Sequence, residues 1–214
     1  PIQLDPGHTI ERVVERSMGS WASNATPNDW YEGLVGTDEC KHGDGLMMTD
    51  TAGAGRCLYW IWDRIIRHQD GKLRVNLLLN RASPWADIDS HIPYQGRVDV
   101  KAKQAVDLEI RIPEWVKPGE TRCEVNGEER RLGWDGRYAQ VGPVKPSDIA
   151  TLTFPISERT DVVYIEKEPY TLLRKGNEVV SIDPPGRYYP LYQRGHYRED
   201  SARRREVERF ISKE

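Results

Sequence analysis

Two hydrophobic periodicities meet near residue 70, and no single repeating architecture accommodates both. Upstream, apolar residues recur at helical spacing. Ile10, Val13, Val14 and Met18 form one stretch, and Leu58, Tyr59, Ile61, Trp62, Ile65 and Ile66 form another between 54 and 67. The second set makes a broad apolar face, so this helix is expected to lie between neighbours rather than on a surface. Downstream of Asp70-Gly71 the period falls to two. Val75, Leu77 and Leu79 alternate first, then Val98, Val100 and Ala102. Val106, Leu108, Ile110 and Ile112 alternate with Asp107, Glu109 and Arg111, which places the first four inward and the last three outward on an antiparallel strand.

Turn chemistry supports the same division. Asn126-Gly127 follows Cys123 and Val125 and signals a tight hairpin, and Lys175-Gly176-Asn177 signals another. Further strands fit 138–141, 150–154, 161–166, 170–174 and 178–182. Short strands separated by Gly and Pro turns predict a mainly β fold, an antiparallel β-sandwich with a jelly roll as one form. The expected organisation is a helical segment over 1–70, the sandwich over 71–195, and a charged C-terminal helix or tail over 196–214, where Arg203-Arg204-Arg205 lie. No internal repeat is visible.

Composition excludes several functions. With 31 basic and 34 acidic side chains the formal charge is -3, which argues against a polycationic nucleic-acid binder. No apolar run approaches the roughly 20 residues of a membrane-spanning helix. The start at Pro1 carries neither Met nor a basic-then-apolar leader, and the chain is expected to be a portion of something longer. No compartment is assigned. Cys40, Cys57 and Cys123 form no CxxC pair and are expected to be reduced and mostly buried. Seven Trp and ten Tyr against two Phe make an amphipathic aromatic set, suited to sugar-facing clefts as well as to cores.

Chemistry, if present, is expected in the long irregular stretch from 19 to 53, which is rich in glycine and contains Trp21, Trp30, Asp29, Glu32, Asp38, Glu39, Asp44 and Asp50. Trp21, Trp30 and Tyr31 are candidates for stacking on a sugar ring; packing the loop is the competing role. Asp50 with Asp29 or Asp44 is a candidate carboxylate pair, which glycoside hydrolysis needs at about 5–9 Å. Asp50 as a helix N-cap and Asp29 as a loop cap are the plainer alternatives. His42 beside Asp44 is an acid/base candidate or an exposed loop histidine. There is no GxSxG, HExxH or P-loop. Gly53-Ala54-Gly55 offers a tight helix entry more readily than a phosphate site.

Four segments, in order, carry a resemblance: Ser20-Trp21-Ala22-Ser23-Asn24-Ala25-Thr26-Pro27-Asn28-Asp29-Trp30; Gly53-Ala54-Gly55-Arg56-Cys57-Leu58-Tyr59-Trp60-Ile61-Trp62-Asp63; Leu73-Arg74-Val75-Asn76-Leu77-Leu78-Leu79-Asn80 with Ser83-Pro84-Trp85; and Leu108-Glu109-Ile110-Arg111-Ile112-Pro113-Glu114-Trp115 followed by Val125-Asn126-Gly127. Together they resemble glycoside hydrolase family 127, the β-L-arabinofuranosidase-like proteins.

The resemblance implies an α/α toroid followed by β-sandwich domains, with this chain as a C-terminal portion and 1–70 as the helical remnant of the toroid. It implies carbohydrate, arabinofuranoside-type, as substrate and the missing upstream helices as a partner. It also implies a zinc-held cysteine nucleophile within the toroid, with glutamates beside it. The family's Cys-Cys pair falls seven and six residues before the helix Arg, and counting from Arg56 reaches Thr49 and Asp50. A hydroxyl and a single carboxylate do not make a four-ligand zinc site. No metal or other cofactor is therefore expected, and the chain alone is expected to lack a complete active site. Asp50 is the candidate catalytic residue, and Trp21, Asp29 and Trp30 are the candidate substrate contacts. A stand-alone, non-catalytic carbohydrate-binding or interaction module is the alternative.

Overall fold

The computed structural model describes residues 56–165, 168–185, 192, 194–200 and 211. Among these the protein is mainly β, with three sheets, one short α-helix, α1, over 56–64, and two 3-10 turns, Pro118–Glu120 and Gly195–Arg198. No helix among the described residues is long and apolar enough to cross a membrane. Contacts divide the chain into two units, one comprising Ile61–Ser157 with Glu199–Glu214, the other Pro1–Trp60 with Glu158–Arg198.

The first unit holds two sheets. One consists of β1 (Ile66–Gln69), β2 (Lys72–Val75), β6 (Val106–Arg111), β10 (Tyr138–Val144) and β9 (Gly133–Asp135), in that spatial order. The other runs β3 (Arg81–Ala82), β4 (Ala86–Ser90), β5 (Arg97–Ala102), β11 (Ile149–Thr153), β7 (Arg122–Val125) and β8 (Glu128–Glu129). Their apolar residues form one cluster. Leu73, Val75, Leu108, Ile110 and Ala139 of the first sheet join Ile88, Val98, Val100, Cys123 and Leu152 of the second, all at 1% exposure or less.

The alternation over 106–112 is observed with one difference. Val106, Leu108, Ile110 and Ile112 are buried and Asp107 is exposed, but Glu109 is 2% exposed. It lies on the outward face, where Lys72 and Arg74 of β2 cover it.

Three further expectations need correction. The helix expected to reach residue 67 ends at 64, and Ile66–Gln69 form β1 instead. Asp70 and Gly71, at φ 51° and 76°, form the tight turn that pairs Gln69 with Lys72. Ile65 and Ile66 are β-branched, favour extended backbone, and are 3% exposed in the core. The first sheet is also mixed rather than antiparallel, because β2 and β6 run parallel, Arg74 opposite Glu109. Between those strands the chain crosses to the other sheet for β3, β4 and β5, then returns in its original direction. Finally, of the run Val75, Leu77 and Leu79 only the first two are buried; Leu79 is exposed beyond the strand.

Both predicted hairpins form. Asn126 and Gly127, at φ 55° and 84°, join β7 to β8, with Val125 opposite Glu128. In the second unit, β12 (Glu158–Ile165), β13 (Glu168–Lys175) and β14 (Glu178–Asp183) make an antiparallel meander. Gly176, at φ 60°, lies in its second turn, between paired Lys175 and Glu178. Tyr170, Leu172, Val179 and Ile182 form a small separate cluster. Asp161 receives Arg174 at 2.9 Å, and Glu158 receives both Nε and Nη2 of Arg198 at 2.7 and 3.0 Å.

Candidate functional site

Thr49 and Asp50, together with Trp21, Asp29, Trp30, Tyr31, Cys40, His42 and Asp44, lie outside the described residues. What the structure does describe is how the helix that follows them is held.

An α-helix leaves its last carbonyls without intrahelical partners. The last three residues of α1, Trp62, Asp63 and Arg64, belong to the first unit, and their carbonyls accept from side chains of that same unit. Arg81, 5% exposed on β3, donates through Nη1 to the carbonyls of Trp62 and, at 3.0 Å, Asp63. Its guanidinium lies 3.9 Å from the centroid of the Trp62 ring, a cation–π contact in a largely dry setting. Asn76 donates through Nδ2 to the carbonyl of Arg64 at 2.9 Å. Ile61 and Trp62 pack against the core, while Leu58, Tyr59 and Trp60 are more than half exposed.

Asn76 belongs to a polar network over the outer face of the first sheet. Its Oδ1 accepts from the Tyr138 hydroxyl at 2.8 Å, and Arg74 lies over the Tyr138 ring at 5.0 Å from its centroid. Arg74 contacts Glu109 at 2.7 Å and Asp135 at 3.3 Å, and Lys72 contacts Glu109 at 2.6 Å. Burial pushes the Glu109 carboxyl up, but the hydrogen bonds from Lys72 and Arg74 outweigh it and hold the group below its ordinary value.

A second polar cluster lies on the other sheet. Asp99 accepts from Arg97 Nε at 3.0 Å and from Thr151 Oγ1 at 2.7 Å, and its other oxygen meets His91 Nε2 at 3.0 Å. Burial raises the Asp99 pKa, and these three hydrogen bonds bring it below the usual carboxylate range. Both carboxylates are thus held ionised by dedicated partners, an arrangement that fixes geometry rather than one that shuttles a proton. Among the described residues no group of three or more His, Cys, Asp or Glu side chains is placed to hold a metal ion. Cys57 and Cys123 are free thiols, the first half-buried and the second buried.

Arg81, Glu109 and the pair His91–Asp99 are not among the candidate functional residues that the sequence offers. For Glu109 a signal existed in Lys72 and Arg74, two basic residues spaced to share one strand face. For Arg81 and His91 there was none, because their partners are set by tertiary pairing.

No protein-family profile matches the chain. No curated protein matches its sequence. Solved structures do match. One is a GH127 β-L-arabinofuranosidase from Geobacillus stearothermophilus T6, at 18% identity and a TM-score of 0.47, over 68% of this chain and 27% of that one. Another is a GH127 β-arabinofuranosidase, at 18% identity and 0.41, over 54% of this chain and 23% of that one. A third is described as a glycoside hydrolase, at 21% identity and 0.34, over 44% and 17%. The chain is similar in structure to part of GH127 β-L-arabinofuranosidases. It spans between 17% and 27% of the length of these structures.

Proposed function

We propose that this chain is the C-terminal portion of a family-127-like glycoside hydrolase acting on arabinofuranoside-type carbohydrate, and that it does not complete an active site by itself. In this reading the two sheets of the first unit are the faces of a β-sandwich, and α1 is the end of a helical toroid. The observation that carries it is the fastening of the last α1 carbonyls by Arg81 and Asn76. The segments that carry the resemblance supply Trp62, Arg74, Asn76 and Glu109, four of the residues of that junction and its network; Arg81, Lys72, Asp135 and Tyr138 lie outside them. They also supply Trp115, whose ring meets Phe154 edge-on at 5.8 Å, and the Asn126-Gly127 turn. The sandwich then serves as a rigid seat for the helix that follows Asp50.

Asp50 is the proposed catalytic carboxylate, and Trp21, Asp29 and Trp30 the proposed sugar contacts. The family's zinc does not fit. At the positions of its two thiolates this chain has Thr49 and Asp50, and one carboxylate holds zinc too weakly against water. No step is assigned to a metal here.

The test is expression of the reading frame that includes the sequence preceding Pro1, assayed on a chromogenic arabinofuranoside beside this chain alone. The longer protein is expected to turn over substrate and to lose that activity with Asp50→Asn, while this chain alone is inactive. Saturable binding of arabino-oligosaccharides by this chain, with no activity in the longer protein, would instead establish a stand-alone binding module. Stoichiometric zinc in the purified protein would overturn the assignment of Thr49 and Asp50.

A further inference from the structure

Asn126-Gly127 is the one Asn-Gly pair in the chain. Such pairs are chemically labile. The glycine has no side chain to hinder approach of its amide nitrogen to the preceding side-chain carbonyl carbon, and asparagine is among the thermolabile residues for this reason. Here the pair forms the hairpin turn between β7 and β8, with Asn126 exposed to water.

The turn is also tied down. Asn126 Nδ2 donates to Asp148 Oδ1 at 2.8 Å, and Asn126 Oδ1 accepts from the backbone amide of Ile149 at 2.9 Å. The Asn126 backbone amide donates to the Ile149 carbonyl at 2.9 Å. Asp148 in turn accepts from the Lys145 amide through its other oxygen at 2.8 Å. Both ends of the Asn126 carboxamide are thus engaged with the start of β11, which keeps its carbon from swinging toward the Gly127 nitrogen.

We propose that Asn126 is a deamidation site gated by the fold, and that its conversion irreversibly loosens the β7–β8 hairpin from β11. In the reaction the Gly127 nitrogen forms a bond to Asn126 Cγ and gives up its proton to solvent. The Cγ–Nδ2 bond breaks, and Nδ2 leaves as ammonia. Water then opens the cyclic imide at either carbonyl, giving aspartate or isoaspartate, so one water is consumed and one ammonia released. The aspartate product puts an acceptor where Nδ2 donated, facing Asp148 Oδ1 across the same 2.8 Å contact. A donor–acceptor pair becomes two like charges. The isoaspartate product adds a backbone carbon to a two-residue turn and breaks the register of Val125 with Glu128.

The experiment compares the intact chain, folded and in denaturant, at the same mildly alkaline pH, following the Asn126 peptide by mass spectrometry. Deamidation is expected to be slower in the folded protein by about tenfold or more, the opening of the hairpin being required first. Equal rates would overturn the gating. Asn126→Asp is then expected to lower the thermal midpoint, and Asp148→Asn in that background to restore most of the loss, by returning a donor to the pair. Should Asn126→Asp fail to fold, the double variant is expected to fold. An Asn126→Asp variant as stable as the parent, or no rescue at position 148, would overturn the consequence.

Discussion

Arg74 and Glu109 are direct partners in the parallel register of β2 and β6, and their side chains meet at 2.7 Å. The relationship is unequal: Glu109 is 2% exposed, whereas the side chains of Arg74 and Lys72 keep 39% and 41%. The carboxylate is therefore covered by cations that themselves reach water. This arrangement avoids much of the desolvation cost of a fully buried pair. It also links, through Tyr138 and Asn76, to the last carbonyl of α1.

Replacing Glu109 should therefore destabilise the first unit without leaving a stranded buried charge. Glu109→Gln is expected to cost about 1–3 kcal/mol, the range for losing charge-assisted hydrogen bonds while the cations turn to solvent. Urea denaturation compared with the parent checks this. An unchanged midpoint would mean that Lys72 and Arg74 contribute nothing beyond packing their stems.

Acid should weaken the fold in a defined window. Glu109 and Asp99 both have folded pKa values below their ordinary ones. For such groups the stability is present above the unfolded values, about 3.9 for Asp and 4.3 for Glu. It is lost as pH falls from there through the folded values. Stability from this source is expected to be level above pH ~5 and to decline below pH ~4. The double variant Glu109→Gln, Asp99→Asn should show a shallower decline, measured as denaturation midpoints across that range.

The strands of both units are legible where contacts are local. Val106 to Ile112 carries its facing in its own alternation, and Asn126-Gly127 and Lys175-Gly176-Asn177 carry their turns. What could not be read depends on distant neighbours. Ile65 and Ile66 satisfy helical spacing with Leu58, Ile61 and Trp62, yet also suit a strand, and the Asp70-Gly71 turn decides for the strand. The parallel pairing of β2 with β6, the burial of Glu109 and the reach of Arg81 to α1 are all tertiary. Asp50 is singled out by the resemblance, and Trp21, Asp29 and Trp30 by the acids and aromatics of the 19–53 stretch; all four lie outside the described residues.

Gly96 tests the packing at the end of β5. A Cβ added there would lie 1.8 Å from the carbonyl oxygen of Phe154, and that backbone is itself fixed by a bond from the Phe154 amide to the Gly96 carbonyl at 2.8 Å. The neighbour is backbone and cannot turn aside. Gly96→Ala is expected to cost about 3 kcal/mol or more, at the upper end of single substitutions. A variant with parental stability would show that the ends of β5 and β11 separate easily.

Cys123 should resist thiol reagents until the first unit unfolds. It is 1% exposed, and burial pushes its thiol up to about 11. At pH 7 only ~10⁻⁴ of such a group is thiolate, the reactive form. Alkylation followed by peptide mapping is expected to label Cys123 in denaturant and not in buffer. Rapid labelling of the folded protein would contradict its place beside Leu152 in the β7–β11 pairing.

Arg81 is the residue on which the attachment of α1 most depends. It supplies two hydrogen bonds to the helix end and stacks on Trp62, and its site is 5% exposed. The cation–π contact contributes up to about 2 kcal/mol when desolvated, and each hydrogen bond adds about 1 kcal/mol. Arg81→Ala is therefore expected to destabilise by about 2–4 kcal/mol, within the usual range for disrupting a buried polar contact. Arg81→Lys should recover the hydrogen bonds only in part and lose the stacking, because both bonds come from Nη1 while the planar guanidinium lies over the Trp62 ring, which an ammonium cannot reproduce. The decisive measurement is hydrogen exchange. Amides of 61–64 should lose protection in both variants, while those of β5, β6 and β11 keep theirs. If protection falls equally across the sheets, Arg81 supports the core as a whole and α1 has no separate fastening.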